Sequence, residues 1–179
     1  TGDRATGLAR RMERDRWFPE LRFPLLQFRN RGDLRFEEKT VEWGDGAAGI
    51  HHALATADFD GDGDLDVVMT QLNGPTRLYR NRGSAPRLAV RLAGRKPNVQ
   101  GIGAKVRLRG GAVPQQSTEI ICGGRYMAGS DPQATFAAGP SGSAMTLEVE
   151  WRSGLRTTVT NVMAGRLYEI TEPDPATGA

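Results

Sequence analysis

Residues 58–66 read Asp-Phe-Asp-Gly-Asp-Gly-Asp-Leu-Asp, with five aspartates at alternate positions. Carboxylates this close repel one another unless a positive charge stands among them, and the nine-residue run itself contains no lysine or arginine. Acids at the first, third, fifth and ninth positions, with Gly63 at the sixth for the sharp turn, match the first half of an oxygen cage for Ca²⁺. Such a cage takes six to eight oxygen ligands at roughly 2.3–2.6 Å. Asp58, Asp60, Asp62 and Asp66 are expected to ligate through their side chains, and Asp64 stands where the backbone carbonyl is usually offered. An EF-hand does not fit. Its twelfth position would be a bidentate glutamate flanked by helices, whereas here it is Met69, and Val67, Val68 and Met69 in a row read as a buried strand. The pattern therefore predicts a strand–loop–strand calcium turn closed by Asp66. Mg²⁺ suits it less well, because that ion keeps its waters and demands octahedral geometry.

The charge distribution sharpens this reading. The chain has 24 basic and 21 acidic residues and a net charge of +3. Residues 41–70 nevertheless carry seven acids and no lysine or arginine, while 71–171 carry fourteen bases against five acids. A compact acidic cluster in an otherwise basic chain points to a bound cation more than to a solvated face.

An internal repeat is present. Phe28-Arg29-Asn30-Arg31-Gly32 returns 51 residues later as Tyr79-Arg80-Asn81-Arg82-Gly83. Periods of this size belong to propeller blades and related arrays. Each copy follows apolar residues and places Asn and Gly where a turn would lie, so both read as a strand running into a hairpin. Residues 1–24 differ: a charged stretch from Arg10 to Arg16 suits a short helix or arm that Pro19 and Pro24 stop, with Leu8 and Met12 on one face. Trp17, Phe18, Leu21 and Phe23 are available to fill an apolar gap.

Beyond residue 83 the pattern alternates. Leu88, Val90 and Leu92 share one face; Ala104, Val106 and Leu108 oppose Lys105, Arg107 and Arg109; Met145, Leu147, Val149 and Trp151 oppose Thr146, Glu148 and Glu150. Half-buried antiparallel strands have this period, and further strands are expected near 117–122, 156–162 and 166–171. With 23 glycines and 10 prolines, many tight turns are favoured over long helices. The expected fold is all-β: propeller-type repeat strands followed by a small antiparallel β-sandwich or barrel.

The aspartate loop, followed by Val67-Val68 and Leu78-Tyr79-Arg80-Asn81, resembles the calcium-binding FG-GAP or VCBS repeat of integrin-like β-propellers. Phe36 to Thr40 and Trp43-Gly44 resemble the strand and turn that precede that loop. Asn98 to Val106 with its Gly-Ile-Gly-Ala run, Gly124-Arg125-Tyr126, and Val149 to Gly154 resemble the ASPIC and UnbV domain that closes cartilage acidic protein and bacterial relatives. Where that family has Phe-Gly-Leu-Gly and Trp-Pro, this chain reads Phe136-Ala137-Ala138-Gly139 and Trp151-Arg152. The resulting organisation is an arm at 1–24, a repeat region with its calcium loop at 25–83, an ASPIC/UnbV-like β-domain at 84–171 and a tail at 172–179. The resemblance implies a secreted, periplasmic or cell-surface calcium-binding module for adhesion, display or assembly. Two alternatives remain open, a glycan-binding or carbohydrate-active accessory domain and a self-assembling subunit.

No catalytic constellation stands out, and the expectation is a protein that is not an enzyme. His51 and His52 are adjacent, so on a strand they point to opposite faces and pair poorly on a metal. Cys122 alternates with Ile120 and reads as a buried core thiol. Arg31-Gly32-Asp33 spells an adhesion tripeptide but sits where the repeat needs a turn. Lys105, Arg107 and Arg109 could meet an anionic glycan, but without interleaved aromatics they do not suit nucleic acid. No apolar run reaches the ~18 residues of a membrane span. A partial propeller leaves strand edges near 25–43 and 53–81, which a partner protein or another copy could complete by strand addition.

Overall fold

Strands form where the alternation demands them. The computed structural model describes residues 2–17, 22–44, 46, 48–140 and 142–177. In chain order the elements are α1 (Gly2–Asp15), β1 (Phe23–Pro24), β2 (Phe28–Gly32), β3 (Arg35–Glu38), α2 (Thr40–Trp43) and β4 (Ala48–Gly49). They continue with β5 (His51–Ala57), β6 (Asp66–Gln71), β7 (Arg77–Tyr79), β8 (Arg87–Ala93), β9 (Lys105–Arg109) and β10 (Gln115–Glu119). The last are β11 (Gly124–Arg125), β12 (Ala128–Gly129), β13 (Gln133–Ala137), β14 (Met145–Glu150), β15 (Arg156–Val162) and β16 (Leu167–Thr171). Among the described residues the protein is all-β apart from α1, the single turn α2 and a short 3₁₀ turn. Two compact units divide the chain: residues 1–51 with 71–74, and residues 52–70 with 75–179.

In the first unit, β2 and β3 pair as an antiparallel hairpin and β1 pairs with β4. The turn Gly32-Asp33-Leu34 has positive φ at all three residues, so the adhesion-type tripeptide is the hairpin tip itself. Leu8, Met12 and Trp17 are exposed, as is Phe23, while Phe18 and Leu21 lie outside the described residues. The expected plug by this segment is therefore not formed by Trp17 or Phe23.

The second unit holds the main core. One sheet runs β10-β9-β14-β15, entirely antiparallel; the other runs β13-β8-β16. Leu88, Val90, Leu92, Ala134, Phe136 and Ile170 from the second sheet pack with Val106, Leu108, Met145, Leu147, Val149 and Val162 from the first into one buried cluster, which makes this part a β-sandwich. Every apolar face expected from the alternation of 88–92, 104–108 and 145–151 is buried. Three features depart from the sequence reading. β16 pairs with β8 in parallel, because the chain crosses from one sheet to the other before returning. β10 ends at Glu119, and the chain then turns through Gly123 and Gly124 at positive φ, so the alternation lapses and Cys122 is exposed instead of buried. β13 lies outside the segments that the sequence pattern predicts as strands; it is half apolar, with Ala134 and Phe136 inward, and runs antiparallel to β8.

The Gly-Ile-Gly-Ala stretch has a local cause. Asn98 clasps Ile102 from both sides, its Nδ2 donating to the Ile102 carbonyl at 2.8 Å and its Oδ1 accepting from the Ile102 N–H at 2.9 Å. This brings Gly101, at φ +64°, so close to the core that a Cβ there would lie 2.9 Å from Leu92 Cβ and 3.2 Å from the Trp151 ring. Only glycine fits without movement.

Candidate metal centre

A three-stranded sheet, β5-β6-β7, carries the acidic loop between its first two strands. That is the expected strand–loop–strand arrangement. The loop is shaped by its own carboxylates, which cap backbone donors that would otherwise be unpaired. Asp58 accepts from Gly61 N–H at 2.8 Å and Gly63 N–H at 3.0 Å. Asp60 accepts from Asp62 N–H at 3.3 Å, and Asp62 accepts from Asp64 N–H at 2.9 Å. Gly61 and Gly63 both have positive φ, which lets the chain wrap around the carboxylates.

Asp66 closes the loop. It is 2 % exposed, and its two oxygens accept from Phe59 N–H at 3.2 Å and Asn81 N–H at 2.8 Å. Phe59, between two acids, is turned outward. The outcome is that Asp58, Asp60 and Asp66 each offer a carboxylate oxygen, all within 4.8 Å of one another. Three hard anionic oxygens at this spacing fit a calcium-sized cation, and the donor set contains no nitrogen or sulfur to favour a softer metal.

Asp62 and Asp64 fall outside that group. Asp62 Oδ2 stands 3.7 Å from Arg80 Nη2, and Arg80 Nε lies 2.5 Å from Asp60 Oδ2. Asp64 is buried and forms an ion pair with Arg87, the first residue of β8. Counting cations only inside the run of aspartates misses both arginines, which arrive from 14 or more residues beyond Asp66 in sequence. Arg80 was visible in one respect, as the second residue of the repeated pentapeptide.

The repeat is itself a repeat of geometry. Asn30 Oδ1 accepts from Gly32 N–H at 2.9 Å, and Asn81 Oδ1 accepts from Gly83 N–H at 2.9 Å. Only the first copy continues into a hairpin. The second is captured by the loop, through the Asn81 N–H on Asp66, and proceeds directly into β8. Gly83 is closely approached there: a Cβ would stand 3.1 Å from Asn81 Oδ1, 3.3 Å from Asp64 Oδ2 and 3.4 Å from Arg87 Nη2.

The other residues singled out in the sequence do not join the acidic group. His51 and His52 are half-buried on β5. On the outer face of β9, Arg109 meets Glu148 at 2.8 Å and Arg107 meets Glu150 at 3.4 Å, so two of the three basic residues there have acidic partners on β14. A cleft of about 520 Å³ adjoins the acidic loop, lined by Asp58, Asp62 and Asp64 together with Arg87, Arg91 and Arg166. Among the described residues no helix is long and apolar enough to cross a membrane.

A β-rich chain with an acidic strand–loop–strand turn feeding a sandwich defines the class. In comparison with family models, residues 25–69 match the FG-GAP-like repeat and residues 94–177 match ASPIC and UnbV. The two matches follow one another along the chain in the order that the sequence resemblance implies. None of the curated proteins compared with it matches the chain.

Proposed function

We propose that this chain is a non-enzymatic, extracytoplasmic module that binds Ca²⁺ as a structural ion and serves adhesion, surface display or protein assembly. The observation that carries the reading is the convergence of Asp58, Asp60 and Asp66 within 4.8 Å. All three belong to one turn, so a cation held there would fasten that turn. When bound, Ca²⁺ supplies a doubly charged centre that offsets the repulsion of these carboxylates. The chain's own residues do the rest. Gly61 and Gly63 let the backbone wrap, and Asp66 ties the turn to Asn81 and hence to the segment that enters β8. Assembly with a partner protein or another copy would proceed by strand addition to the repeat region.

Isothermal titration of chelator-stripped protein with CaCl₂ tests the reading. Saturable binding at one site, lost in Asp58→Ala and in Asp60→Ala and much weaker for MgCl₂, is the expected result. Absence of calcium binding to stripped, folded protein would overturn it.

A further inference from the structure

Arg80 and Arg87 both face the aspartate loop, but they differ in kind. Arg87 pairs with Asp64, outside the group of three, and that carboxylate is buried. Arg80 pairs with Asp60, which is inside the group, and also approaches Asp62; its side chain is 58 % exposed. Among the described residues, Asp58 and Asp66 have backbone N–H donors as partners and no ion pair, so Arg80 is the one side-chain cation set directly on the three converging acids. Its position is built in. The next residue, Asn81, donates its backbone N–H to Asp66 at 2.8 Å, which anchors residue 80 within reach of the loop.

We propose that Arg80 is an internal counterion of this site, one that lowers its affinity for divalent cations and gives way when a cation binds. The inference rests on the reading of Asp58, Asp60 and Asp66 as cation ligands. A guanidinium brings one positive charge through N–H donors, whereas a calcium ion brings two through direct contact with oxygen. Arg80 and the cation compete for Asp60. If the guanidinium stays, a divalent ion about 6 Å away is repelled by about 1.4 kcal/mol in a water-like dielectric, which is about tenfold in affinity. If it leaves, its contacts with Asp60 and Asp62 are lost in exchange. Both routes have the same sign. Because the side chain is more than half exposed, it can swing into water without opening a void in the core. Arg80 thereby keeps the metal-free loop from carrying its full negative charge and restricts occupancy to calcium-rich surroundings.

The opposite role is also physically definite: an arginine that merely orients Asp60 would assist binding, and its loss would weaken it. Titration of stripped wild type, Arg80→Gln and Arg80→Lys with CaCl₂ separates the two, with melting curves in chelator as the second readout. Arg80→Gln is expected to bind calcium about tenfold more tightly than wild type and to melt lower than wild type in chelator. Arg80→Lys, which keeps the charge, is expected to stay near the wild-type affinity. Equal or weaker binding by Arg80→Gln, with wild type binding normally, would overturn the counterion role and leave the site intact. If neither wild type nor Arg80→Gln took up calcium, the site itself would fall, and the counterion role with it.

Discussion

Asp64 and Arg87 form an ion pair in which the acid is 5 % exposed and the base opens β8, the central strand of the sheet β13-β8-β16. The aspartate loop and the sandwich are therefore linked by charge as well as by chain. Strand β5 adds a second link, since the Thr56 backbone N–H and hydroxyl both meet Ser130 Oγ at 3.1 Å and the Asp131 N–H donates to the Thr56 carbonyl at 3.2 Å.

Removing one member of this pair leaves the other inside with no opposite charge. Arg87→Ala is expected to destabilise the fold by about 2 kcal/mol, below the about 3–5 kcal/mol of a fully buried pair because a third of the arginine side chain is exposed. Asp64→Ala should cost a similar amount, and the double variant less than the sum of the two. Urea denaturation of the four proteins measures the coupling; strict additivity would mean that the pair does not hold the loop to β8.

Calcium should raise the thermal stability. Binding to the native state alone contributes about 2.7 kcal/mol at a hundredfold excess over Kd. Chelation is then expected to lower the Tm by several degrees in wild type and to leave Asp60→Ala almost unmoved. Superimposable wild-type melting curves with calcium and with chelator would contradict this.

The acid limb of stability should depend on two glutamates. The Arg109 guanidinium, hydrogen-bonded to Glu148 at 2.8 Å and 3.3 Å, holds that carboxyl below its ordinary value of 4.5. The Ser153 hydroxyl, at 2.6 Å, does the same for Glu172, helped by the Arg95 backbone N–H at 2.9 Å. A folded value lowered in this way contributes stability that is fully present above pH 4.5 and is lost as the pH falls through the lower folded value. Both groups face solvent, so the effect is small. Glu148→Gln with Glu172→Gln should flatten the loss of stability below pH 4.5, read by denaturation at a series of pH values; an unchanged slope would remove these pairs as its cause.

Gly101 should not tolerate a side chain. Its positive φ and the 2.9 Å approach to Leu92 Cβ add strain to overpacking, so Gly101→Ala is expected to cost about 2–4 kcal/mol. Gly142→Ala, also at positive φ but with nothing within 4 Å, should cost only about 1 kcal/mol. Equal losses for the two would show that crowding at Leu92 and Trp151 is unimportant.

Local patterns were readable because their physics is local. Alternation sets which side chains face inward on a strand, and β8, β9 and β14 bury the residues that the period of two assigns to them. The acidic turn was readable for the same reason: its carboxylates accept from backbone N–H groups two to five residues away, with glycines where the chain must bend. The Asn-Arg-Gly turn, which depends on contacts two residues apart, recurs with equal geometry in both copies of the repeat.

What lay beyond the linear chain was settled by pairing between distant segments. Cys122 followed the period of Ile120 on paper, yet β10 stops at Glu119, and the glycines that follow turn the thiol outward. β16 could have joined β8 in either direction; the path of the chain between the two sheets made it parallel. The five aspartates look equivalent in sequence, but Arg80 and Arg87 sort them, drawing Asp64 to the start of β8 and leaving Asp58, Asp60 and Asp66 to converge. Spacing along a chain decides which carboxylates are near one another, whereas which opposite charge each one meets depends on segments that only the packed sheets bring alongside.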